Sequence, residues 1–330
     1  MAIAKQLLRE FTHFSDNYML IRVGYDMVYD CPQPTPMILN LNVHYSLAAR
    51  IVIPDHMCIA PAVPVTSYRD AFGNWCSRLV APAGQFRISA DAIVGDTGEP
   101  EATCLGVPQT PVDQLPEDTL VYLLGSRYCE TDQLSGIAWQ LFGNGPTGGA
   151  RVQAICDFVH KHITFGYQYA RRTKTAWEAY NEGQGVCRDF AHLAITFCRC
   201  MNIPARYCTG YLGDIGVPAV DAPMDFAGWF EAFLDGQWYT FDARNNSPRI
   251  GRILMARGRD ATDVALASTF GTHWLNSFIV WAEEIEPKSD PVAAQRSTGV
   301  APNALQALAE LRAANKKSAP AGIHAAAAGR

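Results

Sequence analysis

The chain has 330 residues, of which 48% are hydrophobic, 11% aromatic and 18% charged, and its formal net charge is −5 at neutral pH. This composition is typical of a folded globular protein of about two domains; it excludes disorder of the whole chain and lacks the surplus of cations that nucleic-acid binding needs. Because the apolar runs are far shorter than the roughly 20 residues of a membrane helix, and the N-terminus lacks a secretory apolar segment, we expect no nucleic acid and no membrane as partners, and a cytoplasmic location.

The first hundred residues have the pattern of β-strands. Segments 18–29 and 37–45 are rich in β-branched and aromatic residues and alternate between apolar and polar positions. A stretch rich in Gly, Pro, Thr and Glu follows at 95–112 and is typical of a linker. We therefore assign residues 1–110 to a β-rich N-terminal domain.

Helical periodicity begins after this linker. Apolar residues recur on one helical face near 149–162, and again from Cys187 to Met201. Asn202 and Pro204 are expected to end the second helix, because the first favours a helix terminus and the second cannot continue the hydrogen-bond ladder.

Short strand-like runs follow the helices at 205–212, 229–234 and 237–242. The last two are joined by Asp235-Gly236, which is a strong signal for a two-residue hairpin turn. Helices followed by an antiparallel sheet make an α+β arrangement. We assign residues 111–287 to this second, core domain.

The remaining segment, 288–330, contains no Phe, Trp or Tyr, and 14 of its 43 residues are Ala. Such a composition cannot supply a hydrophobic core, so we interpret the segment as an Ala-rich flexible tail. Within it, residues 304–315 are strong helix formers and predict one short helix, which could instead bind a partner.

Cys187 is the first candidate for chemistry, because it opens a predicted helix directly after a Gly-Gln-Gly loop. Unpaired N–H groups and the helix dipole at that position favour a thiolate, which is the nucleophilic form of cysteine. The alternative is that Cys187 is one more buried thiol among ten cysteines. We predict no metal site, since Cys198 and Cys200 of the same helix point about 200° apart and cannot converge on one ion.

Four segments together resemble the core of the transglutaminase-like superfamily of cysteine enzymes: GVCRDFA at 185–191, IPARY at 203–207, WFE at 229–231 and WYTFD at 238–242. The resemblance covers about residues 150–285, and the β-rich region before it is similar to the N-terminal domain of bacterial transglutaminase-like proteins. It implies a papain/transglutaminase-like α+β fold, with N-terminal helices packed on an antiparallel sheet. It also implies a catalytic Cys at a helix start, a His on one strand and an Asp on the next.

Two members of this triad carry over, as Cys187 and Asp242. The superfamily reads His-Ala-Trp on the first strand, with the Asp 15 residues after the His, and this sequence has Ala227 at that position. The hairpin turn independently pairs 229 with 242, so that 227 and 242 are diagonal neighbours about 7–8 Å apart. An imidazole would bridge that gap and a methyl group does not, so the usual base is missing.

Two histidines are candidates to replace the base. His273 follows Gly271 in a predicted loop, which could carry it to the site, and it is the better candidate. His192 lies five residues after Cys187, about 140° around the helix, which does not allow a hydrogen bond to the thiol.

Other residues near the motifs have two interpretations each. Asn245 and Asn246 could orient a water or a substrate amide but cannot act as bases. Gln184 is a possible oxyanion donor or a solvated turn residue, and Trp229 either walls the site or belongs to the core. Without an imidazole, Asp242 could simply be a strand-end carboxylate that binds backbone or the side chain of Arg244 or Arg249.

From these features we expect a cysteine enzyme that acts on a peptide or protein amide, by hydrolysis or acyl transfer, with activity weakened or lost because of Ala227. The alternative is a catalytically inactive relative that binds a peptide or scaffolds a partner. No cofactor is expected, and the sequence does not predict the oligomeric state.

Overall fold

Strands and helices make up most of the chain that the computed structural model describes, residues 19–221, 223–285 and 303–318. The strands are β1 Met19–Cys31, β2 Thr35–Leu39, β3 Ile51–Ile53, β4 Cys58–Ala60, β5 Thr66–Arg69, β6 Trp75–Ala81, β7 Gly84–Asp96, β8 Thr164–Phe165, β9 Gln184–Gly185, β10 Ala205–Leu212, β11 Ala227–Leu234, β12 Gln237–Phe241, β13 Arg252–Gly258, β14 Ala267–Thr269 and β15 Trp274–Ile285. The α-helices are α1 Thr131–Phe142, α2 Gly148–His162, α3 Ala176–Glu182, α4 Cys187–Cys200 and α5 Asn303–Ser318. Short 3₁₀ helices span Tyr45–Arg50, Val112–Gln114, Glu117–Leu123 and Tyr167–Tyr169.

Two antiparallel sheets form the β-rich region. The first has the order β15-β1-β7-β3, with β4 also on β7, and the second has the order β14-β2-β6-β5. Residues such as Met27 and Phe86 from the first sheet and Met37 and Leu39 from the second are fully or almost fully buried in one hydrophobic cluster. One face of each sheet is therefore buried in a shared hydrophobic core, as the alternating pattern predicted.

The last two strands belong to the β-rich sheets and not to the core sheet. β15 pairs with β1 from Leu20 opposite Ile285 to Asp30 opposite Trp274, and β14 pairs with β2. The range 111–287 that we predicted for the core domain therefore includes two strands that pair within the β-rich sheets. The cause is that a strand pattern does not specify a partner, and both partners here are more than 200 residues away in sequence.

The core sheet has the order β12-β11-β10-β13, and α4 packs against β10 and β11. Apolar side chains that recur along α4, such as Phe190, Leu193 and Phe197, are buried in the core cluster. The β11–β12 hairpin pairs Leu234 with Gln237, which confirms the predicted two-residue turn. Helices preceding an antiparallel sheet confirm the predicted α+β class.

Helix α5 covers the outer face of the first sheet. Ala304, Leu305 and Leu308 are buried against that sheet, where they pack in a cluster with Leu20 and Ile93. The helix predicted at 304–315 is therefore present and docked on the protein, and the parts of the predicted flexible tail at 286–302 and 319–330 lie outside the described residues. None of the helices in these ranges is long and apolar enough to cross a lipid bilayer.

Candidate active site

Cys187, Ala227 and Asp242 line one open cleft with a volume of about 960 Å³. The start of α4 and the hairpin β11–β12 form one side, and the end of β15 borders the other. The segment between β10 and β11 contributes much of the wall. The fold thus brings together the three residues that the sequence singled out as the position of a triad.

The start of α4 is fixed by a side-chain cap. The buried Asp189 carboxylate accepts a hydrogen bond from the Val186 N–H at 2.9 Å, which satisfies one of the unpaired donors at the helix N-terminus. A Cβ atom at position 185 would lie 2.7 Å from the Asp189 side chain, so a larger residue than glycine would collide with this cap. Cys187 is therefore held as the first helical residue, half-buried at the cleft.

Burial acts against ionisation of the Cys187 thiol. It raises the pKa of this thiol to about 11, although the backbone of Gly228 and the Arg244 guanidinium both lower it. The nearby charge of Asp225 raises the pKa of this thiol further. We expected the helix N-terminus to favour a thiolate, whereas desolvation of the sulfur favours the thiol.

The hairpin register is the one that the sequence predicts. Phe230 lies opposite Phe241, so the same register places Trp229 opposite Asp242. Ala227 lies at the start of β11 and is half-buried in the cleft wall. Among the described residues that line the cleft there is no histidine, and hence no imidazole between Cys187 and Asp242.

The Asp242 carboxylate is already fully engaged. Oδ1 accepts hydrogen bonds from the backbone N–H groups of Arg244 and Asn245, both at 3.0 Å. Oδ2 accepts from Asn245 Nδ2 at 2.7 Å and from Arg252 Nη2 at 3.1 Å. Burial alone would raise the pKa of Asp242, but Arg252 and these hydrogen bonds lower it overall. The alternative interpretation of a bound strand-end carboxylate fits these contacts, with Arg252 rather than the side chain of Arg244 or Arg249 as its cation.

Arg252 links Asp242 to the segment that we predicted as a linker. It forms an ion pair with Glu101, and its guanidinium lies 4.7 Å from the ring centroid of Trp229. Trp229 is 2% exposed and packs with Cys208 and Leu254, away from the cleft lining. The tryptophan therefore supports the arginine that holds Asp242, and its core interpretation is the correct one.

Three further candidates do not reach the cleft. His273 stays in its own loop, with Nδ1 3.1 Å from the Gly271 carbonyl, so it does not replace the missing base. Gln184 is exposed and lies outside the lining. Asn246 faces α2, where its Nδ2 donates to Asp157 at 2.8 Å. The contact of Asn246 joins residues 89 positions apart, so the local pattern did not specify it.

The other histidine that we considered as a replacement base, His192, is buried inside the core. Its Nε2 accepts from the Ala261 N–H at 3.1 Å, and its ring stacks on Tyr128. Burial lowers the pKa of His192 to about 3. It is a neutral packing residue, as the helical geometry predicted.

Sequence reasoning missed Tyr167, Asp225 and the role of Arg252. Tyr167 and Asp225 line the cleft, and burial raises the pKa of both. Asp225 stands two residues before Ala227, a spacing that could have suggested a common side of the chain. No local signal could have identified Arg252, because its partner Glu101 is 151 residues away.

Comparison with known proteins finds relatives of the core and of the architecture. Residues 136–243 match the family model of the Transglutaminase-like superfamily. A solved structure from Cytophaga hutchinsonii, described as a "putative cysteine protease", is 29% identical, has a TM-score of 0.70, and aligns with 83% of this chain and 93% of that chain.

Curated relatives match over shorter stretches. An uncharacterized Mycobacterium leprae protein is 36% identical over 91 residues, which are 27% of this chain and 32% of that protein. An uncharacterized Mycobacterium tuberculosis protein is 29% identical over 150 residues, which are 41% of this chain and 48% of that protein. The chain thus spans between about a third and a half of the length of these relatives. The family model, the solved structure and the placement of Cys187 at a helix start agree, and residues 136–243 form a transglutaminase-like core.

Proposed function

We propose that this chain binds a peptide amide in the cleft at Cys187 and that it turns the amide over weakly or not at all. The observation that carries the proposal is the state of the three cleft residues. Ala227 carries no base, the Asp242 carboxylate is occupied by Arg252 and Asn245, and burial raises the pKa of the Cys187 thiol. Acyl transfer by a cysteine requires the thiolate, and loss of a triad base costs several orders of magnitude in rate.

Residual acyl transfer remains the second candidate, because part of the chemistry is still in position. The thiol lies at a helix N-terminus, and N–H groups there could stabilise a negative charge that develops in the cleft. Attack of the Cys187 sulfur on an amide carbon would form a thioester and release the amine. Water or a second amine would then release the acyl group. The cytoplasmic location stays a prediction.

Binding and turnover can be measured separately with benzyloxycarbonyl-glutaminyl-glycine as a probe amide. We expect Cys187→Ala to keep the affinity of the wild type within about twofold, because the thiol contributes little to binding. Tyr167→Ala is expected to weaken binding at least about fivefold, since this half-exposed ring lines the cleft. Tyr68→Ala, on an exposed strand away from the cleft, is the matched control and should have no effect.

The result that would contradict this proposal is efficient turnover. If the wild type released ammonia or amine from the probe rapidly and Cys187→Ala abolished that release, the chain would be a competent enzyme and a base outside the cleft lining would have to exist. Equal affinity of the wild type and Tyr167→Ala would place binding elsewhere.

A further inference from the structure

Two arginines of the cleft lining are held together on one amide oxygen. Arg244 and Arg249 both line the cleft, in the segment that follows Asp242. Asn245 Oδ1 accepts a hydrogen bond from Arg244 Nη1 at 2.9 Å and from Arg249 Nη1 at 3.2 Å. At these distances the two Nη1 atoms lie within about 6 Å of each other. Two positive charges are therefore concentrated on one part of the cleft wall.

The charge of Arg249 is only partly compensated. Its side chain is 7% exposed, and its Nη2 donates a hydrogen bond to the Gly213 carbonyl at 2.9 Å. Asp214 Oδ1 lies 3.8 Å from the same nitrogen, which is too far for a hydrogen bond. The Arg249 Nε is buried and has no hydrogen-bond partner in the described part of the chain. A buried cation without a close carboxylate is costly, and an anion that enters the cleft would offset part of that cost.

Arg244 is the more accessible cation of the pair. It is half-buried, and no carboxylate of the described residues lies within 4 Å of its guanidinium. The guanidinium stacks on Phe165, 4.2 Å from the ring centroid, and Phe165 also lines the cleft. A guanidinium has five N–H donors, and only one of those of Arg244 is bonded to a described residue, Asn245. The stacked group is therefore pre-organised to bind a planar acceptor with two oxygens.

We propose that Arg244, supported by the charge of Arg249, binds a carboxylate of the peptide whose amide lies at Cys187. This role rests on the proposed function and specifies its ligand as a peptide with a carboxylate near the amide. A carboxylate matches the fork of N–H donors on a guanidinium and supplies the negative charge that Arg244 lacks. The C-terminus of a peptide and an Asp or Glu side chain share this chemistry, and both are candidates.

The carboxylate is expected close to the amide in the peptide sequence. Arg244 and Cys187 line the same cleft, and the charge of Arg244 lowers the pKa of the Cys187 thiol, so the two groups are near each other. Charges act strongly on one another within about 10 Å. That distance corresponds to about three residues of extended chain. Asp225 and Glu284 also line the cleft and repel carboxylates, so one carboxylate should bind better than several.

The test compares pairs of probes that differ only in this charge. Benzyloxycarbonyl-glutaminyl-glycine has a C-terminal carboxylate, and its neutral counterpart has a C-terminal carboxamide. Benzyloxycarbonyl-glutaminyl-glutamate with an amidated C-terminus has a side-chain carboxylate, and its neutral counterpart has glutamine in place of glutamate. The variants are Arg244→Gln, which removes the charge, and Arg244→Lys, which keeps it. The control is Arg78→Gln, which removes an exposed arginine of β6 outside the cleft lining.

We expect at least one carboxylate probe to bind the wild type about tenfold more tightly than its neutral counterpart, and Arg78→Gln to keep that ratio. Arg244→Gln should reduce the ratio to about one by weakening the carboxylate probe alone, and Arg244→Lys should restore part of it. The ratio should also fall as the salt concentration rises. A preference only for the glycine carboxylate identifies a chain end, and a preference only for the glutamate identifies a side chain.

Two results would overturn this role of Arg244. Equal affinities of the wild type for each carboxylate probe and its neutral counterpart would show that the cleft does not recognise the charge, although binding itself would leave the proposed function standing. A full preference that persists in Arg244→Gln would place the carboxylate at another group. If none of the four probes binds, the proposed function fails as well.

Discussion

Replacing Ala227 by histidine is expected to increase the alkylation rate of Cys187 at pH 7 by about 100-fold or more. Burial now holds the pKa of this thiol at about 11, so only a very small fraction is thiolate at neutral pH. An imidazole at position 227 would stand in the wall of the cleft that Cys187 also lines, where it could take the thiol proton. Thiols paired with an imidazolium have pKa values of about 3–7.

Iodoacetamide labelling followed by peptide mass spectrometry measures this change. Ala227→Gln is the matched control, because it fills a similar volume without adding a base. Equal rates for the two variants would mean that position 227 does not face the thiol and that the alignment with the superfamily histidine is wrong. We expect less gain in turnover than in thiol reactivity, since Asp242 is held by other partners and cannot fully orient the new ring.

Replacing Arg252 by methionine is expected to destabilise the fold by about 3–5 kcal/mol, because it leaves the Asp242 carboxylate buried without its cation. The arginine side chain is 7% exposed and pairs with both Asp242 and Glu101. Methionine keeps the packing on Trp229 but not the charge. Urea unfolding measures the difference as a shift in the midpoint.

Arg259→Met is the control for this substitution. Arg259 also pairs with a carboxylate, Asp263, but its side chain is 42% exposed, and such surface pairs contribute about 0–1 kcal/mol. Equal effects of the two substitutions would contradict the structural role of Arg252.

The stability difference at Arg252 should also depend on pH. The pKa of Asp242 is lowered in the folded protein, so its stabilisation is present above the unfolded value of about 4 and is lost as the pH falls below it. The gap between wild type and Arg252→Met is therefore expected to narrow from pH 7 to pH 3. If the difference in stability instead widened on acidification, a group other than Asp242 would be responsible for it.

Local patterns predicted the parts of the site that depend on neighbouring residues. Asp235-Gly236 is enough to predict the hairpin register, and that register places Trp229 opposite Asp242. The helix start at Cys187 follows equally from the loop before it. These features are predictable because turn and helix-terminus preferences act over a few residues.

Contacts between distant segments could not be predicted in this way. The partner of Asp242 is an arginine that also binds Glu101, in a segment whose composition indicates only a linker. Likewise, the pairing of β15 with β1 depends on residues more than 200 positions earlier. Desolvation of the Cys187 sulfur depends on the whole cleft, so the residues next to it in sequence did not indicate this effect.

The pH dependence of Cys187 alkylation by iodoacetamide in the wild type tests the central claim most directly, with the exposed thiol of Cys58 as internal reference. A site without a base at position 227 predicts slow labelling of Cys187 at neutral pH and a titration midpoint well above the ordinary thiol value of about 8.5, near 11. A reactive thiolate that persists well below pH 8.5 would contradict it and would mean that another group activates Cys187.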